Sequence, residues 1–212
     1  MKKAMLLFIT LLFSVSANAA SFNFAAIADG PVGEFGAENI FFSDNGLGLA
    51  TAAFTFGPGG DEVANPYLDA GNAGLGVCKV LTGGDQCNPA SDDNVQSGEA
   101  LILQFDQTVT LGLVDFQNGQ HGNSFSAEEG LVLEVFLNGV RTLYEYALMD
   151  MIDFDLRGDA FTFFNTFTGT ASGEQFYISA LNAEVPVPAA LFLFAPALLG
   201  FLGLRRKAAL AA

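Results

Sequence analysis

The side chains best suited to bind a ligand carry oxygen atoms and are concentrated in one polar segment, from residue 85 to residue 99. The candidates are Asp85, Asp92, Asp93, Asn94 and Glu99. Calcium takes roughly six to eight hard oxygen ligands, which acidic and amide side chains on irregular loops supply. The EF-hand spacing is absent, and Asp and Asn are also frequent in turns because they hydrogen-bond their own backbone. The segment therefore has two interpretations, a calcium site or a series of turns.

A catalytic interpretation depends on His121, the only histidine. Asp115 and Ser124 lie close to it in the sequence and could complete a Ser-His-Asp triad. The G-x-S-x-G elbow that raises a nucleophilic serine is absent, however, and a lone histidine has no second imidazole for a zinc site. A loop histidine is the favoured interpretation, and a secreted hydrolase is the most distant functional alternative.

A carbohydrate-binding interpretation depends on aromatic side chains that stack on sugar rings. The chain has no tryptophan, which weakens this interpretation. Its four tyrosines are the remaining candidates: Tyr67, Tyr144, Tyr146 and Tyr177. Together with the acidic segment they predict, as an alternative function, a calcium-dependent carbohydrate-binding module.

The charge of the chain disfavours two classes of partner. Between Ala20 and Glu184 lie all 23 acidic residues but only three basic ones, so this part carries a net charge of −20, against −15 for the whole chain. Such a surface repels the phosphates of nucleic acids and of anionic lipids. An acidic surface favours divalent cations, although solubility alone is a sufficient reason for it. The three basic residues are Lys79, Arg141 and Arg157.

The N-terminus, residues 1–19, has the pattern of a secretory signal peptide. Lys2 and Lys3 precede an apolar stretch, and Ala17 and Ala19 form an A-x-A cleavage pattern. The sequence therefore predicts export, with cleavage after Ala19 or after the next residue.

The only two cysteines, Cys78 and Cys87, are close in the sequence. In an exported chain such a pair is expected to form a disulfide, since a metal site or a redox dithiol would need further ligands or tighter spacing. Closing a loop of this size stabilises the fold by roughly 2.5–3 kcal/mol in the chain-entropy model.

The C-terminus carries a short motif, an apolar run and a basic cluster, in that order. Residues 189–204 predict a transmembrane helix of about 24 Å, at about 1.5 Å per residue. This is short for a hydrocarbon core of about 30 Å. The basic cluster is expected to stay in the cytoplasm together with residues 208–212. The motif is Val185, Pro186, Val187, Pro188 and Ala189, and the basic cluster is Arg205, Arg206 and Lys207.

These three parts resemble the PEP-CTERM sorting signal of Gram-negative exopolysaccharide producers. The variant called VPLPA-CTERM is the most similar, with Val187 where the family patterns have Glu or Leu. The resemblance implies processing by an exosortase, transient anchoring in the inner membrane and delivery to the cell surface or matrix. Residues 74–122 also look like a segment of other PEP-CTERM surface proteins, though more loosely. An ordinary single-pass anchor is the alternative for the tail.

Residues 20–184 have the pattern of one all-β domain, an antiparallel β-sandwich or jelly roll. Short apolar runs are separated by Gly, Asn and Asp, without the strand-helix rhythm of a parallel sheet. Asn138-Gly139 predicts a hairpin, and only residues 145–153 resemble a helical turn. The 22 phenylalanines are expected to fill the two inner faces. The predicted strands are residues 21–28, 39–43, 49–56, 78–82, 100–105, 109–116, 131–137, 140–146, 161–167 and 175–182.

These patterns favour a non-enzymatic exported protein of the cell surface or the exopolysaccharide matrix. The expected partners are the exosortase and a polysaccharide, with no nucleic acid, and calcium is the one cofactor that the sequence suggests.

Overall fold

The structure is a computed structural model that describes residues 18–57, 60–125, 130–165 and 175–186. Its strands form one compact unit, Ala19–Val185. Most of the predicted signal peptide lies outside the described residues, as do the predicted helix 189–204 and residues 208–212. Within the described ranges, no helix is long and apolar enough to cross a membrane.

The described chain is almost entirely β-structure, which confirms the predicted fold class. One five-residue helix follows the first strand, and every other regular element is a strand. In chain order the elements are β1 (Asn18–Asn23), α1 (Phe24–Ala28), β2 (Phe35–Gly36), β3 (Ile40–Asp44), β4 (Leu47–Gly57), β5 (Gly60–Asp69), β6 (Gly74–Cys78), β7 (Glu99–Asn118), β8 (Gly130–Leu137), β9 (Val140–Ala147), β10 (Met151–Asn165) and β11 (Phe176–Val185).

The strand pairings among β2 to β11 are antiparallel, and β7 joins the two layers of the sandwich. The first half of β7 pairs with β4, its second half pairs with β11, and β10 accompanies both halves. The path β6-β5-β4-β7-β10-β8-β9 forms the larger sheet, while β11 pairs with β6, with β7 and with β1. Register shifts in β10 and β11 bend these strands where the layers meet.

Two predicted strands, 100–105 and 109–116, are one strand in the structure. The polar residues between them stay extended because their side chains find partners across the sheet. Gln107 Nε2 donates to the carbonyl of Gly46 at 3.5 Å, and the hydroxyl of Thr108 donates to Asp159. The prediction of two separate strands was therefore wrong.

Four other boundaries were wrong. Residues 161–165 of the predicted strand 161–167 are the last part of β10, which begins at Met151. The predicted strand 21–28 ends at Asn23, whose side chain accepts a hydrogen bond from the amide of Ala26 at 2.8 Å and begins α1. The predicted helical turn 145–153 is the end of β9, a short connection and the start of β10. The predicted strand 78–82 lies almost entirely outside a strand. The observed strand, β6, ends at Cys78 because the residues before Cys78 are the ones that pair with β5.

β5 was missed entirely because its sequence is rich in residues that disfavour strands. It contains Asp61, Glu62 and Pro66, yet it pairs with β4 on one side and with β6 on the other. Long-range pairing therefore overrides the weak local preference, as is common for β-structure.

The hydrophobic core lies between the layers and contains many of the phenylalanines. Those that are fully buried are Phe24, Phe116, Phe161, Phe163 and Phe176. Phe41 and Phe136, in contrast, are 74% and 37% exposed. The expectation that phenylalanine fills the inner faces is therefore only partly correct, and the exceptions bear on the candidate site.

Candidate functional site

A disulfide fastens the loop 79–98, which contains four of the five predicted calcium ligands, to the end of β6. Cys78 and Cys87 are bonded, which confirms the prediction. Both sulfurs pack against Tyr67 in a small apolar cluster, and Leu81 pairs with Cys87 through a β-bridge. The loop is thus held close to the sheet, and its polar side chains turn toward two separate sets of partners.

The first set, which we call the lysine cluster, comprises Lys79, Asp92, Gln96 and Glu99. The Lys79 ammonium lies 2.7 Å from Glu99 Oε1 and 3.0 Å from Asp92 Oδ1. Gln96 donates its backbone N–H to Glu99 Oε2 at 2.7 Å and its side-chain Nε2–H to Asp92 Oδ1 at 3.1 Å. Burial raises the pKa of the Glu99 carboxyl, and the hydrogen bond from Lys79 opposes that shift. The cluster fastens the loop to the start of β7.

The second set, the histidine cluster, comprises Asp69, Asp93, His121 and Tyr177. The Tyr177 hydroxyl donates to Asp93 Oδ1 at 2.6 Å, and its ring meets that of His121 edge-on at 5.4 Å. His121 Nε2 lies 3.0 Å from Asp69 Oδ2, and Nδ1 lies 3.1 Å from the carbonyl of Gly71. Both ring nitrogens face acceptors, so an imidazolium with a hydrogen on each nitrogen satisfies both.

Buried carboxylates give the histidine cluster its electrostatic character. Burial raises the pKa of Asp69 to about 6, the nearby Asp93 carboxylate acts in the same direction, and His121 opposes both. Burial also raises the pKa of Asp93, against the hydrogen bond from Tyr177. The pKa of Tyr177 is raised by burial and by its hydrogen bond to Asp93, which keeps the phenol protonated.

The raised pKa of Asp69 predicts a specific pH dependence. Between about pH 4 and pH 6 the folded protein binds more protons at this site than the unfolded chain does, so stability is lost as the pH rises through that window. We expect Asp69→Asn to make the free energy of unfolding decline less steeply with pH over this range than in wild type. Urea denaturation at a series of pH values measures both slopes, and equal slopes would contradict the prediction.

The structure divides the predicted calcium ligands among different partners. Asp92 and Glu99 contact Lys79, and Asp93 contacts Tyr177. Asn94 is buried beside Asp93 and donates to Gln175 Oε1 at 3.0 Å, while Asp85 is exposed in a turn with a φ of 59°. Among the residues that the structure describes, no three acidic, histidine or cysteine side chains are arranged to hold one metal ion. Calcium stays a prediction.

The other candidate residues also have definite places. The partners of the His121 ring are Asp69, Gly71 and Tyr177, so it does not form a triad with Ser124 or Asp115. Tyr67 and Tyr177 are 1% exposed and unable to stack on a ligand. Tyr144 and Tyr146 pack against the core on the inner side of β9.

Of the sorting motif, Val185 ends β11 and Pro186 follows it. The rest of the motif and the basic cluster, Arg205, Arg206 and Lys207, lie outside the described residues.

A groove of about 620 Å³ crosses the outer face of the larger sheet, and we call it the sheet groove. Three half-buried phenylalanine rings line it, Phe54 and Phe56 on β4 and Phe164 on β10. Their centroids lie 5.8 to 6.2 Å apart, in edge-on or tilted arrangements. Because all three side chains project from paired strands, the apolar surface is formed by rigid elements.

Polar side chains share the sheet groove with the phenylalanines. Thr162 pairs with Ile102 on one side and with Glu134 on the other, which places a hydroxyl and a carboxylate in one row across the sheet. Arg141 Nη1 lies 3.5 Å from Glu134 Oε1, and the arginine side chain is 72% exposed. Gln104 and Asp61 complete the polar lining. The groove therefore combines aromatic rings with polar groups, of which Gln104 and Arg141 are exposed and Thr162 is buried.

Sequence reasoning missed this groove because it assigned the phenylalanines to the inside. In β4 the buried positions are Leu47, Leu49, Thr51 and Ala53, so Phe54 and Phe56 project outward. A signal was nevertheless present. Phe163 and Phe164 are adjacent, and neighbouring residues of a strand point to opposite faces. One of the two had to lie on the outer face.

Comparison with known proteins adds little to these observations. No protein-family model matches the chain, and no curated protein does. Among solved structures it is similar to the family 32 carbohydrate-binding module of C. perfringens NanJ in complex with galactose, with 12% identity over 64% of this chain and 92% of that one and a TM-score of 0.33. A GH31 CBM32-2 bound to GalNAc matches with 11% identity over 79% and 97% of the two chains, at 0.34. A rhamnosidase from Klebsiella oxytoca with rhamnose bound matches with 13% identity over 65% and 29%, also at 0.34. These TM-scores are low, and the fold and the groove stand on the chain's own strands and side chains.

Proposed function

We propose that the protein is an exported, non-catalytic surface or matrix protein that binds polysaccharide in the sheet groove. The observation that carries this proposal is the combination of Phe54, Phe56 and Phe164 with a row of polar groups on one open sheet face. A sugar ring presents C–H bonds on its faces and hydroxyls at its rim, so it is complementary to such a surface.

The dimensions of the groove support an extended ligand. It is lined by residues of β4, β5, β7, β10, β8 and β9, and neighbouring strands lie about 4.8 Å apart. A chain of several sugar rings therefore fits across the sheet, with hydroxyls near Gln104, Thr162 and Arg141. Because the mature domain is strongly acidic, a neutral polysaccharide is favoured over an acidic one.

The two termini support delivery of this domain to the cell surface. The signal-peptide pattern of residues 1–19 would direct export, and the tail that resembles a PEP-CTERM signal would be processed by an exosortase after transient anchoring in the inner membrane. The resemblance implies a bacterium that secretes exopolysaccharide, so the ligand would be present where the protein is delivered. Neither the hydrolase alternative nor the calcium dependence of binding is part of this proposal.

Affinity gel electrophoresis tests the groove directly. The purified protein is run through gels that contain a soluble β-glucan, a galactan or alginate, and a neutral polysaccharide is expected to retard it. Phe54→Ala and Phe164→Ala should each weaken binding about tenfold, since a lost aromatic contact costs up to about 1.5 kcal/mol. Phe41→Ala, which removes a 74% exposed ring from β3 outside the groove, is the matched control.

Two results would contradict the proposal. In the first, none of the polysaccharides retards the wild-type protein. In the second, Phe41→Ala and Phe164→Ala lose retardation equally. Non-specific binding through any exposed apolar side chain would give that result. Repeating the gels with EDTA separates calcium-dependent binding from binding by the groove alone.

A further inference from the structure

β9 ends the larger sheet and presents a long, regular edge. It pairs with β8 in an uninterrupted register from Leu137–Val140 to Gly130–Ala147. Among the described strands, β8 is its only neighbour. The strand has no proline, lysine or bulge, the features that commonly prevent an edge from pairing with another chain. Val140 and Leu143 are each 63% exposed. This edge is therefore available to a further strand.

The hairpin determines which backbone groups of β9 face that edge. Asn138 and Gly139 have φ values of 52° and 83°, which define the two-residue turn predicted from the sequence. The residues that flank such a turn exchange hydrogen bonds with each other, and the direction of the N–H groups alternates along a strand. The N–H and C=O groups of Arg141, Leu143 and Glu145 consequently point away from β8.

The side chains of the same three residues make the edge complementary to itself. In an antiparallel pair centred on Leu143, Arg141 lies opposite Glu145 of the second copy, and Glu145 lies opposite Arg141 of the second copy. A shift of the centre by one residue leaves each charge opposite an uncharged residue. A shift by two residues places Arg141 opposite itself or Glu145 opposite itself, which is unfavourable.

We propose that β9 pairs antiparallel with β9 of a second copy of this chain, about a two-fold axis at Leu143. Two leucines meet at the axis, and an arginine–glutamate pair lies on either side of them. The guanidinium of Arg141 is available for this contact because it is 72% exposed and, among the described residues, its one ion pair is a 3.5 Å approach to Glu134. The dimer closes on itself and continues the larger sheet from one copy into the other.

Cross-linking of the full chain tests the position of the axis. Both native cysteines are in the disulfide, so Leu143→Cys supplies a single free thiol. A short bis-maleimide is expected to convert this variant into a covalent dimer on a denaturing gel. Val63→Cys, on the outer face of β5 and 80% exposed in the wild type, is the control and should remain monomeric. Equal cross-linking of the two variants would overturn the proposal.

Charge reversal tests the register. In the Leu143→Cys background, Arg141→Glu is expected to reduce the yield of dimer at least fivefold, and Glu145→Arg should do the same. The double reversal, Arg141→Glu with Glu145→Arg, restores opposite charges across the axis and should restore the yield. An unchanged yield in either single variant, or a double variant no better than the singles, would overturn the proposed pairing. Equal melting temperatures of the variants confirm that folding is unaffected.

Discussion

Replacing Lys79 with methionine is expected to lower the free energy of unfolding by about 2–4 kcal/mol at pH 7. Glu99 is fully buried, and within the described ranges Lys79 is the one cation that contacts it, at 2.7 Å. Removing one partner of a buried pair typically costs about 3–5 kcal/mol, because the remaining charge has no compensation. The expected value is lower here because the Lys79 side chain is 45% exposed, so that water can replace the ammonium in part.

A double-mutant cycle separates this charge effect from loss of packing. Lys79→Met combined with Glu99→Gln should be more stable than Lys79→Met alone, since the fully buried charge of Glu99 is removed together with its partner and only Asp92 loses the ammonium. Arg157→Met removes a positive charge from an exposed position of β10 and should change stability by less than about 0.5 kcal/mol. Urea denaturation measures wild type, Lys79→Met, Glu99→Gln, the double variant and Arg157→Met. A Lys79→Met variant as stable as wild type would show that the lysine cluster does not hold the loop.

The pH dependence of the Lys79→Met variant follows from the same reasoning. In the wild type, burial raises the pKa of Glu99 and Lys79 lowers it in part. Removing the ammonium is therefore expected to raise the pKa of Glu99 further. The folded variant then binds a proton more readily than the unfolded chain, so its stability is lost as the pH rises. Its deficit relative to wild type should therefore be smallest near about pH 4, where the free carboxyl begins to protonate.

Replacing Gly76 with alanine is expected to destabilise the fold by about 3 kcal/mol. A Cβ at this position would fall on the carbonyl oxygen of Asp93 and 2.8 Å from the Cα of Asn94. Both are backbone atoms, which cannot rotate away as the end of a side chain does. The loop would have to move off β6, and overpacking of a tight contact typically costs about 1–3 kcal/mol or more.

Gly83 supplies the matched control for Gly76. It lies in the same loop, but no atom is within 4 Å of the position that its Cβ would occupy. Gly83→Ala should therefore leave the melting temperature nearly unchanged, while Gly76→Ala lowers it by many degrees in a thermal unfolding experiment. Equal melting temperatures for the two variants would mean that the loop does not pack against β6 as the structure shows.

The two predictions concern one structural feature, the attachment of the loop 79–98 to the sheet. The disulfide holds the loop at Cys87, the lysine cluster holds it at Asp92 and Gln96, and the contact with Gly76 is made by Asp93 and Asn94. The histidine cluster adds Tyr177 from β11, through Asp93. Because the loop is fixed at each of these points, its polar residues act mainly on one another and on the sheet.

Local patterns in the sequence determined the parts of the fold that depend on neighbouring residues. Asn138-Gly139 predicted the hairpin because both residues tolerate a positive φ. Alternating apolar residues in 131–137 predicted β8, since one face of that strand is buried and the other faces out. Cys78 and Cys87 predicted the disulfide from their number and the expected compartment.

The candidate site depended instead on pairings between distant residues. Lys79 meets Asp92 and Glu99 only because the loop folds back on itself, and β5 exists because β4 and β6 enclose it. Alternation shows that a strand has two different faces, but it does not show which face the second layer covers. In β4 that layer covers Ala53 and leaves Phe54 outside. The acidic all-β domain with its cysteine pair was therefore evident in the sequence by itself. The sheet groove was decided only by the tertiary structure, because it is formed by side chains from six strands that long-range packing brings together.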